Sequence, residues 1–318
     1  MKINVEKCAQ ILKEQDNILI LAHAHPDGDT VGGSFALCLA LKKLGKKARV
    51  ICADEFLPKY LNLIDGSLAC CEAFEEEFIV AVDVATENLL GDLAEQYSGR
   101  IDMCIDHHGT NTGYAKYLLL NADAAAACET VLKVIKALKV KIDKPMANAL
   151  FIGISTDTGC FRYASTTSNT YRAAAELVDL GADNGTINRV MFESKTRTYA
   201  ALERLAIEGM RFYDDDRICV IKITQDMYAR TGSSEQETDA IAPLTRQIEG
   251  VEVGLTFREK PDGTCKCSIR TLDSVNAAEL AAAFGGGGHK QAAACRFDCG
   301  VEDAEKMLVE KASEMLSV

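Results

Sequence analysis

Short apolar runs at residues 17–21, 48–52, 78–82 and 101–105 recur through the first third of the chain, with helical patterns between them. Alternation of this kind builds a parallel sheet, since each strand needs a crossover before the next can lie beside it in the same direction. Residues 30–44, stopped by Gly45, read as the first crossover helix, with Asp29 or Thr30 at its N-cap. In open parallel sheets ligands gather beyond the carboxyl ends of the strands. Here His23 follows the first run, Asp83 the third and Asp106 the fourth.

From Ala124 onward the pattern is helical, over 128–139, 145–155 and 168–180, the last ended by Gly181. A further helical stretch, 199–212, leads into Asp214-Asp215-Asp216, and strand-like segments return at 218–224, 251–258 and 267–271. The expected organisation is an α/β chain in two parts. A parallel-sheet domain covers 1–185, a helical linker 186–212, and a smaller α/β domain 213–318.

A 34.5 kDa chain with 48% hydrophobic and 26% charged residues has material for two domains with full cores. Lys2, Glu6 and Lys7 stand where a signal peptide needs an apolar stretch, and no apolar run is long enough to span a bilayer, so a cytoplasmic protein is expected. Thirteen cysteines include the adjacent Cys70 and Cys71 and the Cys265-Lys266-Cys267 pair, but no C-x-x-C, which reads as reduced thiols. A net charge of −12 argues against a long duplex-binding surface, and leaves room for a small anion held by a metal.

All five histidines fall in three motifs: His23-Ala24-His25-Pro26-Asp27-Gly28-Asp29, Asp106-His107-His108, and four glycines, 285–288, followed by His289. Imidazole with carboxylate suits a divalent ion such as manganese. Pro26 and Gly28 allow a tight loop in which His23, Asp27 and Asp29 converge. Asp83 ends the apolar run 78–82, where a charge is costly without a compensating partner. Asp106-His107-His108 caps 101–105, and Asp157 follows the apolar run 149–154.

Taken singly, each piece has a plainer reading. The first loop is a turn with a helix cap, Asp83 a turn residue, His107 and His108 a satisfied pair, and Asp157 an acceptor of local backbone bonds. Their coincidence at strand and segment ends favours two metals, about 3.5 to 4 Å apart, sharing a carboxylate and activating a water. His25 has no evident role and is expected to pack or to face solvent.

A helix is expected over 276–284, leading into the glycine run and His289-Lys290. Glycines let backbone N–H groups approach an anion, and the two side chains add donors, so the segment reads as a phosphate cradle, although glycine runs alone are usually flexible loops.

The ordered motifs resemble the DHH phosphoesterases that carry a carboxyl-terminal DHH-associated domain. His23-x-x-Pro26-Asp27-x-Asp29 is similar to the family's first motif, Asp83 to its second and Asp106-His107-His108 to its third. Thr156-Asp157-Thr158-Gly159 is similar to its fourth, and the glycine run to its substrate motif. The resemblance implies an active site in the interdomain cleft with two divalent ions, most often Mn2+. It puts His23 and Asp27 on the first ion, Asp29, His107 and Asp157 on the second, and Asp83 between them. It further implies that His108 faces the scissile phosphate and that Asp106 orients the neighbouring imidazole. Arg270, Thr271 and His289, with the amides of Gly287 and Gly288, would hold substrate phosphate.

Within the family the chain is most similar to the compact two-domain nano-RNases. This implies hydrolysis of short single-stranded oligonucleotides to mononucleotides, and of 3′-phosphoadenosine 5′-phosphate to AMP, with no membrane partner. Alternatives are a stand-alone cyclic-dinucleotide phosphodiesterase and a catalytically silent nucleotide-binding regulator. Homodimers are common among such relatives. Thr271 stands where Arg-Ser is common and Ala294 where the motif often ends in Gly, departures that bear on substrate preference.

Overall fold

The computed structural model describes residues 1–64, 73–238 and 240–317. It contains two compact units, Met1–Ser194 and Lys195–Val318. The first opens with helix α1 (Val5–Glu14), and the four apolar runs form β1 (Ile18–Leu21), β2 (Ala48–Ile51), β3 (Phe78–Val82) and β4 (Met103–Asp106). Between them lie α2 (Gly28–Lys43) and the short helices α3 (Pro58–Leu61) and α4 (Ala94–Tyr97). After β5 (Tyr117–Leu120) come α5 (Ala127–Ala137), α6 (Lys144–Asp157), α7 (Ser168–Asp179) and α8 (Asn184–Asn188).

The five strands are all parallel, in the order β2-β1-β3-β4-β5. Neither face of the sheet is wet, which is why its strands read as continuous apolar runs. Ile18, Ile20, Val80 and Met103 enter one core with Phe35 of α2 and Leu150 of α6, whereas Leu19, Leu21, Ile79 and Cys104 enter another. The winding reverses between β1 and β3, and the loops leaving such neighbours diverge to leave a crevice at their carboxyl ends.

Two expectations change here. Helix α2 begins at Gly28 and its N-cap is Asp27, not Asp29 or Thr30, because the Asp27 carboxylate accepts the N–H groups of both those residues. Residue 212 is not helical: α9 (Arg197–Glu208) stops at Gly209, and Arg211–Tyr213 pairs antiparallel as β6 with the strand that follows.

The 186–212 segment expected as a linker is divided between the units. Ile187 packs in the core of the first, Tyr199, Leu202 and Ala206 in the second. The second unit continues with β7 (Ile218–Ile223), α10 (Gln225–Thr231), β8 (Val253–Glu259), β9 (Cys265–Thr271) and α11 (Ala277–Ala282). It closes with β10 (Gly287–His289), β11 (Ala292–Phe297) and α12 (Val301–Leu316). Its six strands are ordered β10-β11-β9-β8-β7-β6, with β7 and β8 the one parallel pair.

The glycine run is thus partly ordered, as an edge strand against β11. A Cβ on Gly286 would lie 2.2 Å from the Ala294 carbonyl oxygen, and one on Gly288, at φ +150°, 2.5 Å from that of Ala292. A Cβ on Gly287 would meet nothing within 4 Å. The eleven cysteines among the described residues are free thiols, while Cys70 and Cys71 lie outside those residues. No helix among the described residues is long and apolar enough to cross a membrane.

Candidate metal centre

The segments that follow β1, β3 and β4 at the carboxyl edge of the parallel sheet, with the end of α6, supply the site. His23 follows β1, and its Nδ1 lies 2.8 Å from the Ala24 carbonyl, which fixes the proton on that nitrogen. Nε2 is left facing Asp27 Oδ1 at 3.5 Å and Asp83 Oδ2 at 3.7 Å. The Thr30 hydroxyl donates to the Val82 carbonyl at 2.8 Å, tying the start of α2 to the end of β3.

Asp83 is 3% exposed and its backbone is left-handed, at φ +62°. Non-glycine residues take this conformation seldom, and usually at functional sites where surrounding structure enforces it. Here the Asp83 N–H donates to the Ile105 carbonyl at 2.9 Å, which turns the chain at the strand end. Its Oδ1 then stands 3.4 Å from His107 Nε2 and 3.4 Å from His108 Nδ1.

Asp29, two residues beyond Asp27 in the first turn of α2, is fully buried. Its carboxylate accepts the N–H groups of Ala127 at 2.5 Å and Cys128 at 3.0 Å, at the positive end of the α5 dipole. Gly153 of α6 lies under it, since a Cβ there would meet Asp29 Oδ1 at 2.7 Å. The last residue of α6 is Asp157, whose Oδ2 is 3.3 Å from His107 Nε2.

His107 and His108 leave β4 in different directions. The Nδ1 of His107 faces the Ala124 carbonyl at 3.2 Å, so Nε2 turns inward to Asp157, Asp83 and, at 3.8 Å, Asp29. His108 is held by Asp106, whose Oδ1 accepts the N–H of His107 at 2.8 Å, that of His108 at 3.2 Å, and lies 2.9 Å from His108 Nδ1. The other Asp106 oxygen accepts Asn111 Nδ2 at 2.6 Å. Asp106 therefore orients His108, whose Nε2 is left for other work.

Electrostatics sharpen the picture. Burial, reinforced by neighbouring carboxylates, pushes Asp83 and Asp157 well above the usual carboxylate range, and burial raises Asp29 too. Burial pulls His23 down, yet its bond to Asp27 and the fields of Asp27 and Asp83 prevail and raise it to about 9. Asp106 goes the other way: burial opposes ionisation, but the bonds from His108 and Asn111 keep its carboxyl below the ordinary value.

Two buried atoms here, Asp83 Oδ1 and His107 Nε2, make no hydrogen bond. Buried polar atoms without partners are rare and costly. The six side chains form two triads, His23–Asp27–Asp83 and Asp29–His107–Asp157, each with its ligand atoms within 4.8 Å of one another. Asp83 directs one oxygen toward each triad. An all-nitrogen-and-oxygen donor set with inward lone pairs fits a divalent cation of the manganese or magnesium type. His25 takes no part: its side chain is 93% exposed and lies beside Asp54.

What holds these side chains was not visible in the sequence. Asn111, Thr30, the Ala124 carbonyl and the Ala127 and Cys128 amides all orient a site residue. Asn111 sits in a Gly-Thr-Asn-Thr-Gly stretch, whose composition signals only a turn. Cysteines distant in sequence also border the site, with Cys128 Sγ 3.5 Å from the Asp29 carbonyl and Cys52 Sγ 3.1 Å from that of His23.

In the second unit, Arg270 of β9 is paired with Ala292 of β11, and Ala292 with His289 of β10, which puts the arginine and the exposed histidine two strands apart on one row. Thr271 is separate. It is fully buried and its hydroxyl donates to the Lys290 carbonyl at 3.2 Å, so it anchors the turn that carries His289.

Residues 17–154 match the DHH family N-terminal domain and residues 216–317 the DHHA1 domain. A Thermus thermophilus protein named bifunctional oligoribonuclease and PAP phosphatase NrnA is 31% identical over 292 residues, which are 90% of this chain and 86% of its own. The crystal structure of an exopolyphosphatase-related protein from Bacteroides fragilis superposes with a TM-score of 0.90 at 23% identity, covering 99% of this chain and 98% of that one. RecJ from Thermus thermophilus, solved in complex with Mn2+, shares the fold at a TM-score of 0.56 and 15% identity, over 98% of this chain and 54% of its own. By these matches the chain is a member of the DHH family, with a DHH domain followed by a DHHA1 domain.

Proposed function

We propose that this chain is a two-metal phosphoesterase that hydrolyses short oligonucleotides to mononucleotides and removes the 3′-phosphate of 3′-phosphoadenosine 5′-phosphate. The observation that carries the reading is the pair of His–Asp triads joined at Asp83, with Asp83 Oδ1 and His107 Nε2 buried and unpaired. His23 and Asp27 would hold one cation, Asp29, His107 and Asp157 the other, and Asp83 both. Manganese is the ion we expect; when bound, such a pair activates water and neutralises phosphoryl oxygens.

The chain's own residues supply the rest. The Ala24 and Ala124 carbonyls fix the imidazole tautomers of His23 and His107, so both rings present Nε2 without rearrangement. Asp106 and Asn111 form a relay behind His108 that keeps a proton on Nδ1 and steadies the ring if Nε2 hands a proton to the leaving oxygen. Arg270 and His289 would bind a phosphate of the substrate that is not being cleaved. The name of the Thermus thermophilus relative supports this substrate class.

The purified protein should release mononucleotides from a linear dinucleotide and AMP from 3′-phosphoadenosine 5′-phosphate in Mn2+, faster than it opens a cyclic dinucleotide. Asp83→Asn should lower turnover by at least about a thousandfold, because both cations lose a shared ligand. Wild-type turnover in that variant would refute the assignment, and tight dinucleotide binding without hydrolysis by the wild type would favour a regulator.

A further inference from the structure

Glu129, in the first turn of α5, is 3% exposed and belongs to neither triad. No cation pairs with it among the described residues, although a buried carboxylate is ordinarily matched by one. Both of its hydrogen bonds fall on Oε1, which accepts the Thr170 hydroxyl at 2.7 Å and the Ala125 N–H at 3.2 Å. The hydroxyl is itself held, because it accepts the Thr167 N–H at 3.1 Å in the capping box of α7. One donor thus positions the carboxylate, and the other is the group on which the carboxylate acts.

The Ala125 N–H and the Ala124 carbonyl belong to one planar peptide, and that carbonyl faces His107 Nδ1 at 3.2 Å. Negative charge at the N–H side enlarges the peptide's dipole and makes its carbonyl a stronger acceptor, because linked hydrogen bonds polarise one another. A stronger acceptor at Nδ1 fixes the ring and makes Nε2 a better electron donor, as a carboxylate does when it bonds directly to a metal-bound imidazole. The loop has no other side chain for this task. Residues 122–127 are alanines apart from the exposed Asp123, and Ala126, the N-cap of α5, offers no side-chain acceptor. The amides of Ala127 and Cys128 hold Asp29. Two of the three ligands in the Asp29–His107–Asp157 triad are therefore aimed by residues 124–128, and Glu129 bonds to that stretch without being a ligand itself. His23 answers instead to the Ala24 carbonyl, so this arrangement acts on one cation of the two.

We propose that Glu129 is a positioning residue for the second cation, the remote carboxylate of a relay through the Ala124–Ala125 peptide that sets the aim and donor strength of His107 Nε2. The inference rests on the two-cation reading above. A helix cap would need only an acceptor at position 129, whereas the relay needs the charge.

The test uses the full chain with Glu129→Gln, which keeps an oxygen acceptor for both donors and removes the charge, and with Glu129→Ala, which removes both. Proton–nitrogen NMR of the metal-free protein reads the imidazoles of its five histidines. In Glu129→Gln the His107 Nδ1 proton should move upfield while the His23 and His25 signals stay in place. Tm in EDTA should fall in Glu129→Ala and be restored in Glu129→Gln. Calorimetric titration with Mn2+ should show one equivalent weakened about tenfold in Glu129→Gln and up to about a hundredfold in Glu129→Ala, with the other equivalent within about twofold of wild type. Wild-type manganese affinity in Glu129→Gln overturns the relay and leaves a helix cap. An unmoved His107 signal also overturns it, since any loss of affinity would then bypass the imidazole. If the wild type binds no Mn2+, or binds it and hydrolyses nothing, the proposed function fails, and the His107 signal still decides whether the carboxylate acts on the ring.

Discussion

Asp83→Asn should make the metal-free protein more stable and its metal-loaded form less so. In the absence of cations the ligand oxygens of Asp27 and Asp83 lie within 4.8 Å of each other. Two full charges at that separation and an effective dielectric of about 20 repel by about 3.5 kcal/mol. Part of this is already relieved, because burial and the neighbouring Asp29 and Asp27 push the Asp83 carboxyl well above the usual carboxylate range. The remaining gain from removing the charge is about 1–3 kcal/mol, and asparagine accepts the left-handed backbone at φ +62° at least as well as aspartate. At about 2–4 °C per kcal/mol, Tm in EDTA should rise by about 2–12 °C. Mn2+ at a hundred times its Kd should add about 2.7 kcal/mol per site to the wild type, which over two sites exceeds the variant's gain, and little to the variant, so the order of stability inverts on adding metal. Circular-dichroism melts of both proteins in EDTA and in Mn2+ read this directly. A variant that melts below wild type in EDTA, with an undiminished manganese shift, would show that the carboxylates do not strain one another and that Asp83 is not a shared ligand.

Other expectations follow from the same geometry. Gly32→Ala would place a Cβ 2.2 Å from the Ala149 carbonyl oxygen, forcing α2 and α6 apart; overpacking of about 1–3 kcal/mol against about 1 kcal/mol of helix propensity gained predicts a lower Tm and weaker metal binding, readable by calorimetry. Asp83, Asp157, His23 and His107 all titrate higher in the folded metal-free protein than when unfolded. Their contribution is thus present at low pH and lost as pH rises, for His23 between 6.5 and about 9. Cations need the deprotonated forms, so the Tm gap between Mn2+ and EDTA should widen from pH 6 to pH 9, and a gap that narrows would contradict the ligand set. Arg270→Ala and His289→Ala should raise KM for a dinucleotide about tenfold with bound metal unchanged by elemental analysis, and an unaltered KM would move the substrate site elsewhere.

The parallel sheet was legible because strands covered on both faces leave unbroken apolar runs such as Phe78–Val82, and polar residues at their ends stand out. β10 and β11 were not: Gly287–His289 and the alanines of Ala292–Phe297 have little intrinsic preference for strand, and pair only because β9 offers them a register. The start of α2 is obscured in the sequence because Gly28, a poor helix former, occupies its first turn and hides the Asp27 cap before it. Candidate ligands could be read from strand ends, but the groups that aim them are largely backbone, as with the Ala124 carbonyl behind His107 or the Ala127 and Cys128 amides beneath Asp29. A main-chain group has no letter in the sequence.

Asp27 serves two masters. One of its oxygens satisfies the first amides of α2 while the same carboxylate faces His23 across the rim. A descendant of this chain that abandons hydrolysis cannot simply discard the residue, because the helix carrying Asp29 would fray at its beginning. Serine or asparagine would preserve the helix start and dispense with the ion, so either residue at this position in a related sequence would mark a lineage that has kept the architecture and given up the chemistry.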